Sequence, residues 1–314
     1  MPTDATAAPE LDSQVQAVLE DVSELGLPAW SALSVDSARR LEDELFGPTD
    51  APTVERVSDL AIDGPAAEIP LRVYHPSPGE RLPMLCFFHG GLWALGTLDS
   101  IDGVCRRLAR RANRVVVSVD YRLAPEHPFP SGLDDCVAAV EWAADHGDAL
   151  GGEPSTLAVG GTSAGGNLAA ATALYTREFG GPTIGRQLLL YPMTDLSVDY
   201  DSYDEHADGP LLTRRDVAWA HEQYLRSPVD RANPFAAPVR ARSHESLPPA
   251  TVVTAGFDPL RDEGARYARL LADAGVDVTH DHAPAMPHGF LSLTDEVDAA
   301  DAALDRVAAS LRRG

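Results

Sequence analysis

Apolar positions recur along this chain in two alternating rhythms. Short runs rich in Val, Ile, Leu and Phe at 54–62, 68–74, 82–88, 114–120, 156–160, 186–191, 249–255 and 276–282 predict eight strands. Between them, apolar residues spaced three and four apart predict helices over 100–113, 132–146, 163–178, 262–274 and 296–312. Strand alternating with helix implies an α/β fold, with a mostly parallel sheet covered by helices on both faces. No internal repeat, low-complexity tract or long linker breaks that alternation.

Two stretches stand outside it. Residues 1–50 carry amphipathic helical patterns at 11–25 and 35–46, ahead of the first strand. Residues 195–245 fall between two core strands and combine an acidic loop (199–208) with a helical pattern at 213–225. The expected organisation is a catalytic core of 51–194 and 246–314, capped by residues 1–50 and by the insertion 195–245.

The chemistry begins at Gly161-Thr162-Ser163-Ala164-Gly165, which lies between a strand pattern and an Ala-rich helix pattern. A G-x-S-x-G run in that position reads as a nucleophile elbow, a sharp turn that lifts the serine hydroxyl above the sheet. The alternative is a glycine-rich helix N-terminus that binds an anion or packs closely. Upstream, the strand at 82–88 ends in His89-Gly90-Gly91-Leu92-Trp93. Gly90 and Gly91, with Ala164, are the candidate amides for a developing oxyanion. A plain strand-ending turn is the bland alternative.

A serine nucleophile also needs a base and a group to orient that base. The strand at 249–255 runs into Gly256-Phe257-Asp258-Pro259-Leu260, which places Asp258 just past a strand's carboxyl end. Asp262 and Glu263 are close rivals but read as the first turn of the next helix, where acids suit the dipole. After the last strand the chain reaches Met286-Pro287-His288-Gly289-Phe290. Its position, rather than its residue type, selects His288 among ten histidines. The order Ser163, Asp258, His288 is the hydrolase order. His280 and His282 have the spacing of a metal pair on a strand, yet with no third ligand nearby they read as an exposed face.

Taken together, these motifs resemble the hormone-sensitive-lipase-like branch of the α/β-hydrolases, the family IV carboxylesterases. Asp120-Tyr121-Arg122-Leu123-Ala124-Pro125-Glu126, Leu189 with Tyr191-Pro192, and Leu247-Pro248-Pro249-Ala250 match that family's segments in order, over roughly residues 70–312. The resemblance implies an α/β-hydrolase fold with a mostly parallel eight-stranded sheet and a helical cap. It also implies hydrolysis of short-chain carboxylic esters through an acyl-enzyme, without cofactor or metal. Amide, deacetylase or lactone cleavage would use the same triad. A non-catalytic ligand-binding relative is a further alternative, disfavoured because His288 is present. Two positions depart from the family pattern: Leu92 replaces a glycine of the oxyanion loop, and Thr162 stands where most relatives carry Asp. Leu92, Trp93 and Trp219 are the expected substrate contacts, with Trp30 a further candidate; plain core or cap packing is the alternative for each tryptophan.

Composition prunes the rivals. The chain has no lysine, so it lacks the residue that a P-loop or a Schiff-base enzyme requires. A formal net charge of −23 argues against nucleic-acid and anionic-membrane partners, leaving a small-molecule ester, with a homodimer open. The acidic excess with Arg in place of Lys resembles halophilic, and especially haloarchaeal, proteins, and molar salt would screen the self-repulsion; a GC-rich genome, which favours Arg over Lys along with Ala, Gly and Asp, is the bland alternative. Three cysteines, Cys86, Cys105 and Cys136, read as buried thiols in a reducing compartment. With no secretion signal visible in residues 1–12 and no long apolar run, a cytoplasmic enzyme is expected.

Overall fold

The structure is a computed structural model that describes residues 10–46, 51–197 and 199–312. Residues 1–9 and 47–50, which carry part of the expected cap, lie outside the described residues.

Among the described residues, eight strands form one sheet. They are β1 (Arg56–Asp63), β2 (Glu68–His75), β3 (Leu82–Phe88), β4 (Val115–Val119), β5 (Gly152–Thr162), β6 (Arg186–Leu190), β7 (Ala250–Phe257) and β8 (Val278–Pro287). Their spatial order is β1-β2-β4-β3-β5-β6-β7-β8. β2 runs antiparallel to both its neighbours, and all the other pairs are parallel. Near-continuous apolar runs such as Val115–Val119, broken only by buried Ser118, suit interior strands covered on both faces.

The pleat sorts these runs between two cores. Met84, Cys86 and Phe88 of β3 pack with α4 (Ser131–Leu150), α5 (Ala164–Phe179) and α8 (Arg261–Asp273). Leu85 and Phe87 pack on the other face with α3 (Asp102–Ala112) and α9 (Asp298–Leu311). Outside the core stand α1 (Ser13–Glu24), α2 (Val35–Leu45) and, within the insertion, α6 (Asp201–Glu205) and α7 (Arg214–Tyr224). The two outer segments meet where Ser31 N–H donates to Asp216 Oδ1 at 2.8 Å.

Three expectations shift. β8 continues to Pro287 instead of ending at 282, so His288 follows the strand directly. Gly147 does not stop α4, which runs on to an αL cap at Gly151. The acidic loop contains α6, whose Tyr203 is fully buried and whose Ser202 N–H donates to Asp262. Tertiary packing rather than periodicity forms that turn.

Candidate active site

β5 ends at Thr162 and α5 begins at Ala164, so Ser163 alone turns the chain, with φ 54° and ψ −115°. Such a backbone costs a non-glycine residue about 1–3 kcal/mol and persists where the surroundings over-determine it. Here Ser163 N–H donates to Leu190 O at 2.9 Å, while its carbonyl accepts from Asn167 N–H at 3.1 Å and Met193 N–H at 3.2 Å. No side chain fits beside the turn. A Cβ on Gly161 would lie 2.5 Å from Phe88 O, and one on Gly165 would collide with the same carbonyl. The strand, the elbow and the strand-ending His89 loop are therefore locked by backbone contact.

Ser163 Oγ is 3.0 Å from His288 Nε2, and His288 Nδ1 is 2.8 Å from Asp258 Oδ2. Asp258 is fully buried, and its other oxygen accepts Leu260 N–H at 2.8 Å. The Tyr191 ring meets the imidazole edge-on, with centroids 5.0 Å apart. The rival acids are engaged elsewhere. Asp262 pairs with Arg261, whereas buried Glu263 accepts Thr194 N–H at 2.6 Å and Tyr203 O–H at 2.9 Å. His280 and His282 are exposed on the edge strand and share the Thr254 hydroxyl, each at 2.9 Å.

The glycine loop is oriented from behind. His89 Nδ1 bonds the Gly90 carbonyl at 2.7 Å, and its ring stacks on Tyr121 with centroids 4.3 Å apart. Burial pushes His89 down to about 4, so the imidazole is neutral at pH 7 and Nδ1 carries the donated proton. In a planar trans peptide the N–H points opposite the C=O, so Gly91 N–H projects away from His89. Ala164 opens α5, where amides lack intrahelical partners and the dipole is positive. Leu92 and Trp93 both take left-handed backbones, φ 57° and φ 58°, the conformation that glycine adopts freely.

Ser163, His288, Gly90, Gly91 and Leu92 open into a cavity of about 720 Å³, also lined by Trp30. Its roof comes from α1, α2 and the insertion, through residues such as Leu19, Leu45, Phe46 and Leu211. Trp93 and Trp219 are not among the lining residues, contrary to expectation. Trp93 is buried and stacked on Tyr224 of α7 at 4.1 Å, and Trp219 is half-buried against the core. Tyr191, Glu42 and Asp216 also line the cavity, though none of them is among the expected site residues. Glu42 carried a usable signal, a charge four residues after Ala38 on the buried stripe of an amphipathic helix.

The chain as a whole is similar to known proteins. Residues 85–292 match a family model described as alpha/beta hydrolase fold. The chain is 49% identical over 243 residues to the carboxylic ester hydrolase LipN of Mycobacterium tuberculosis, spanning 76% of this chain and 65% of LipN. It is 40% identical to the carboxylesterase NlhH of the same species, over 98% of this chain and 97% of NlhH. The crystal structure of a thermostable esterase from Pseudomonas putida superposes with a TM-score of 0.92 at 36% identity, covering 98% of each chain. A hyperthermophilic esterase from Pyrobaculum calidifontis gives 0.89 at 37% identity, over 96% of this chain and 98% of that one. The chain belongs to the alpha/beta hydrolase fold family, within the hormone-sensitive-lipase-like branch that its motifs resemble.

Proposed function

We propose that this protein is a serine carboxylesterase acting on small carboxylic esters. The observation that carries the reading is the chain of hydrogen bonds from Ser163 through His288 to Asp258 at the floor of an apolar-walled cavity. Relatives named as esterases at 40–49% identity support it. A cavity of about 720 Å³ falls within the usual range for small-molecule sites.

Ser163 Oγ attacks the ester carbonyl as His288 Nε2 takes its proton, and buried Asp258 holds the Nδ1–H tautomer and stabilises the imidazolium. The oxyanion forms against the Gly90, Gly91 and Ala164 amides, whose donation strengthens as charge develops. His288 then protonates the departing alcohol, and a water repeats the cycle on the acyl-enzyme. Residues 10–46 and 195–245 act as the cap that shapes the acyl and alcohol pockets, with Leu92 and Trp30 among the walls. The test is Ser163→Ala on a short-chain activated ester. A loss of about a thousandfold or more in kcat is expected; a variant that kept most of its activity would overturn the assignment.

The acidic excess belongs to the same reading. With a net charge of −23, the fold is proposed to work in concentrated salt inside the cytoplasm, a halophilic setting that rests on the charge alone. The three buried free thiols fit a reducing compartment. Activity and stability should fall below ~0.5 M salt, and full retention in dilute buffer would remove the halophilic reading.

A further inference from the structure

Helix α2 presents Arg39 and Glu42 to the segment that follows the glycine loop. Glu42 is only 7% exposed, and its Oε2 accepts Gly96 N–H at 2.7 Å. The Ser100 hydroxyl is engaged within its own turn, donating to Thr97 O at 3.1 Å, so Gly96 N–H is the hydrogen-bond donor that holds this carboxylate. Arg39 fastens the neighbouring backbone, with Nε on Ala94 O at 2.9 Å and Nη2 on Ala124 O at 3.0 Å.

Gly96 is the pivot. It has φ +100°, and a Cβ there would lie 2.5 Å from Gly90 O and collide with the His89 imidazole. Gly96 is thus wedged against the carbonyl edge of the Gly90–Gly91 peptide, whose opposite edge carries the Gly91 N–H. We propose that Glu42 is a positioning residue for the oxyanion loop: its carboxylate holds Gly96 against Gly90 O and thereby fixes the direction of Gly91 N–H. The role rests on the acyl-transfer reading above. It accounts for a carboxylate on a buried stripe, where leucine would pack at less cost. Burial pushes Glu42 up to about 7 despite the bond from Gly96 and the nearby Arg39, with Asp43 adding to the rise.

Three substitutions test it in the full chain: Glu42→Ala, Glu42→Asp (too short to reach Gly96) and Glu42→Gln, which keeps an acceptor oxygen. The readouts are steady-state hydrolysis of p-nitrophenyl butyrate, inhibition by a trifluoromethyl ketone whose adduct carries the oxyanion, and Tm. Alanine and aspartate should lower kcat about tenfold with KM within about twofold, and weaken the ketone by a similar factor. Glutamine should keep at least half of kcat. Wild-type kcat in the folded aspartate variant, or losses confined to KM or Tm, would overturn the positioning role while leaving the esterase reading intact. A wild type inert toward esters would overturn both.

Discussion

The floor and the roof of the cavity are built by different physics. In the floor, backbone meets backbone: Gly161 and Gly165 leave no room for a methyl group beside Phe88 O, and Ser163 is held in a costly turn by bonds from three directions. In the roof, amphipathic helices lean apolar side chains inward. A few polar ties hold them, such as Ser31 to Asp216 and Arg39 to Ala94. The floor tolerates no adjustment, because interatomic gaps there are already at contact. The roof can repack, because Leu, Val and Phe of similar volume exchange at small cost. On the proposed reading, the floor fixes the chemistry and the roof sets substrate choice.

The sharpest way to break that division is to alter the floor by a single hydrogen-bond polarity. Asp258→Asn keeps the volume and the Leu260 N–H contact but turns one acceptor toward His288 Nδ1 into a donor or a mispaired amide. The expected result is a fall in kcat of about 10³–10⁴-fold with KM and Tm little changed, measured by steady-state hydrolysis and thermal unfolding. A loss under tenfold would mean that another carboxylate orients His288. Glu263 is the instructive contrast, for it is just as buried yet bonds Thr194 and Tyr203, joining core to insertion rather than serving the imidazole.

This division also decides how much was readable in advance. The floor is written in local sequence: G-x-S-x-G, His-Gly-Gly and Gly-Phe-Asp-Pro each follow a strand pattern, and a glycine is needed wherever backbones touch. The order of Ser163, Asp258 and His288 along the chain then brings them together once the strands are paired. The roof carries no such code. Trp93 follows the glycine loop, but its left-handed backbone sends the ring to Tyr224, a contact set by a helix 131 residues away in sequence. Glu42 and Asp216 reach the cavity from segments whose periodicity fixes which face is buried, though not what it is buried against.

At the seam between the two regions, pH gives a finer probe. Glu42 is pushed up to about 7 from an ordinary 4.5, chiefly by burial. The folded state therefore holds this proton between those values while the unfolded chain has released it, so stability falls as pH rises from about 4.5 to about 7. The gap corresponds to at most about 3 kcal/mol, reached above pH 7. Glu42→Gln has no such proton to lose. In urea unfolding, the variant should gain about 1–3 kcal/mol on wild type at pH 8 and none of this difference at pH 4. Equal displacement at both pH values would show that the carboxylate is not the source.

The smallest effect, and the one that sharpens the contrast most, lies in the roof itself. Phe46 and Leu211 line the cavity while remaining about 40% and 39% exposed, so they form an apolar rim at its mouth. Because both are partly wet, cutting them back to serine forfeits only part of their transfer free energy, about 1 kcal/mol or less in folding stability. A substrate arm reaching the rim would lose a similar amount of binding. Phe46→Ser and Leu211→Ser should therefore raise KM about three- to fivefold for an octanoyl ester, leave KM for an acetyl ester unchanged, and keep kcat within twofold for both. A change in kcat for the acetyl ester would mean that the roof reaches the chemistry, and the separation of floor from roof would fail. A chain-length-dependent KM with constant kcat would place the selectivity of this protein in the residues its sequence leaves least marked.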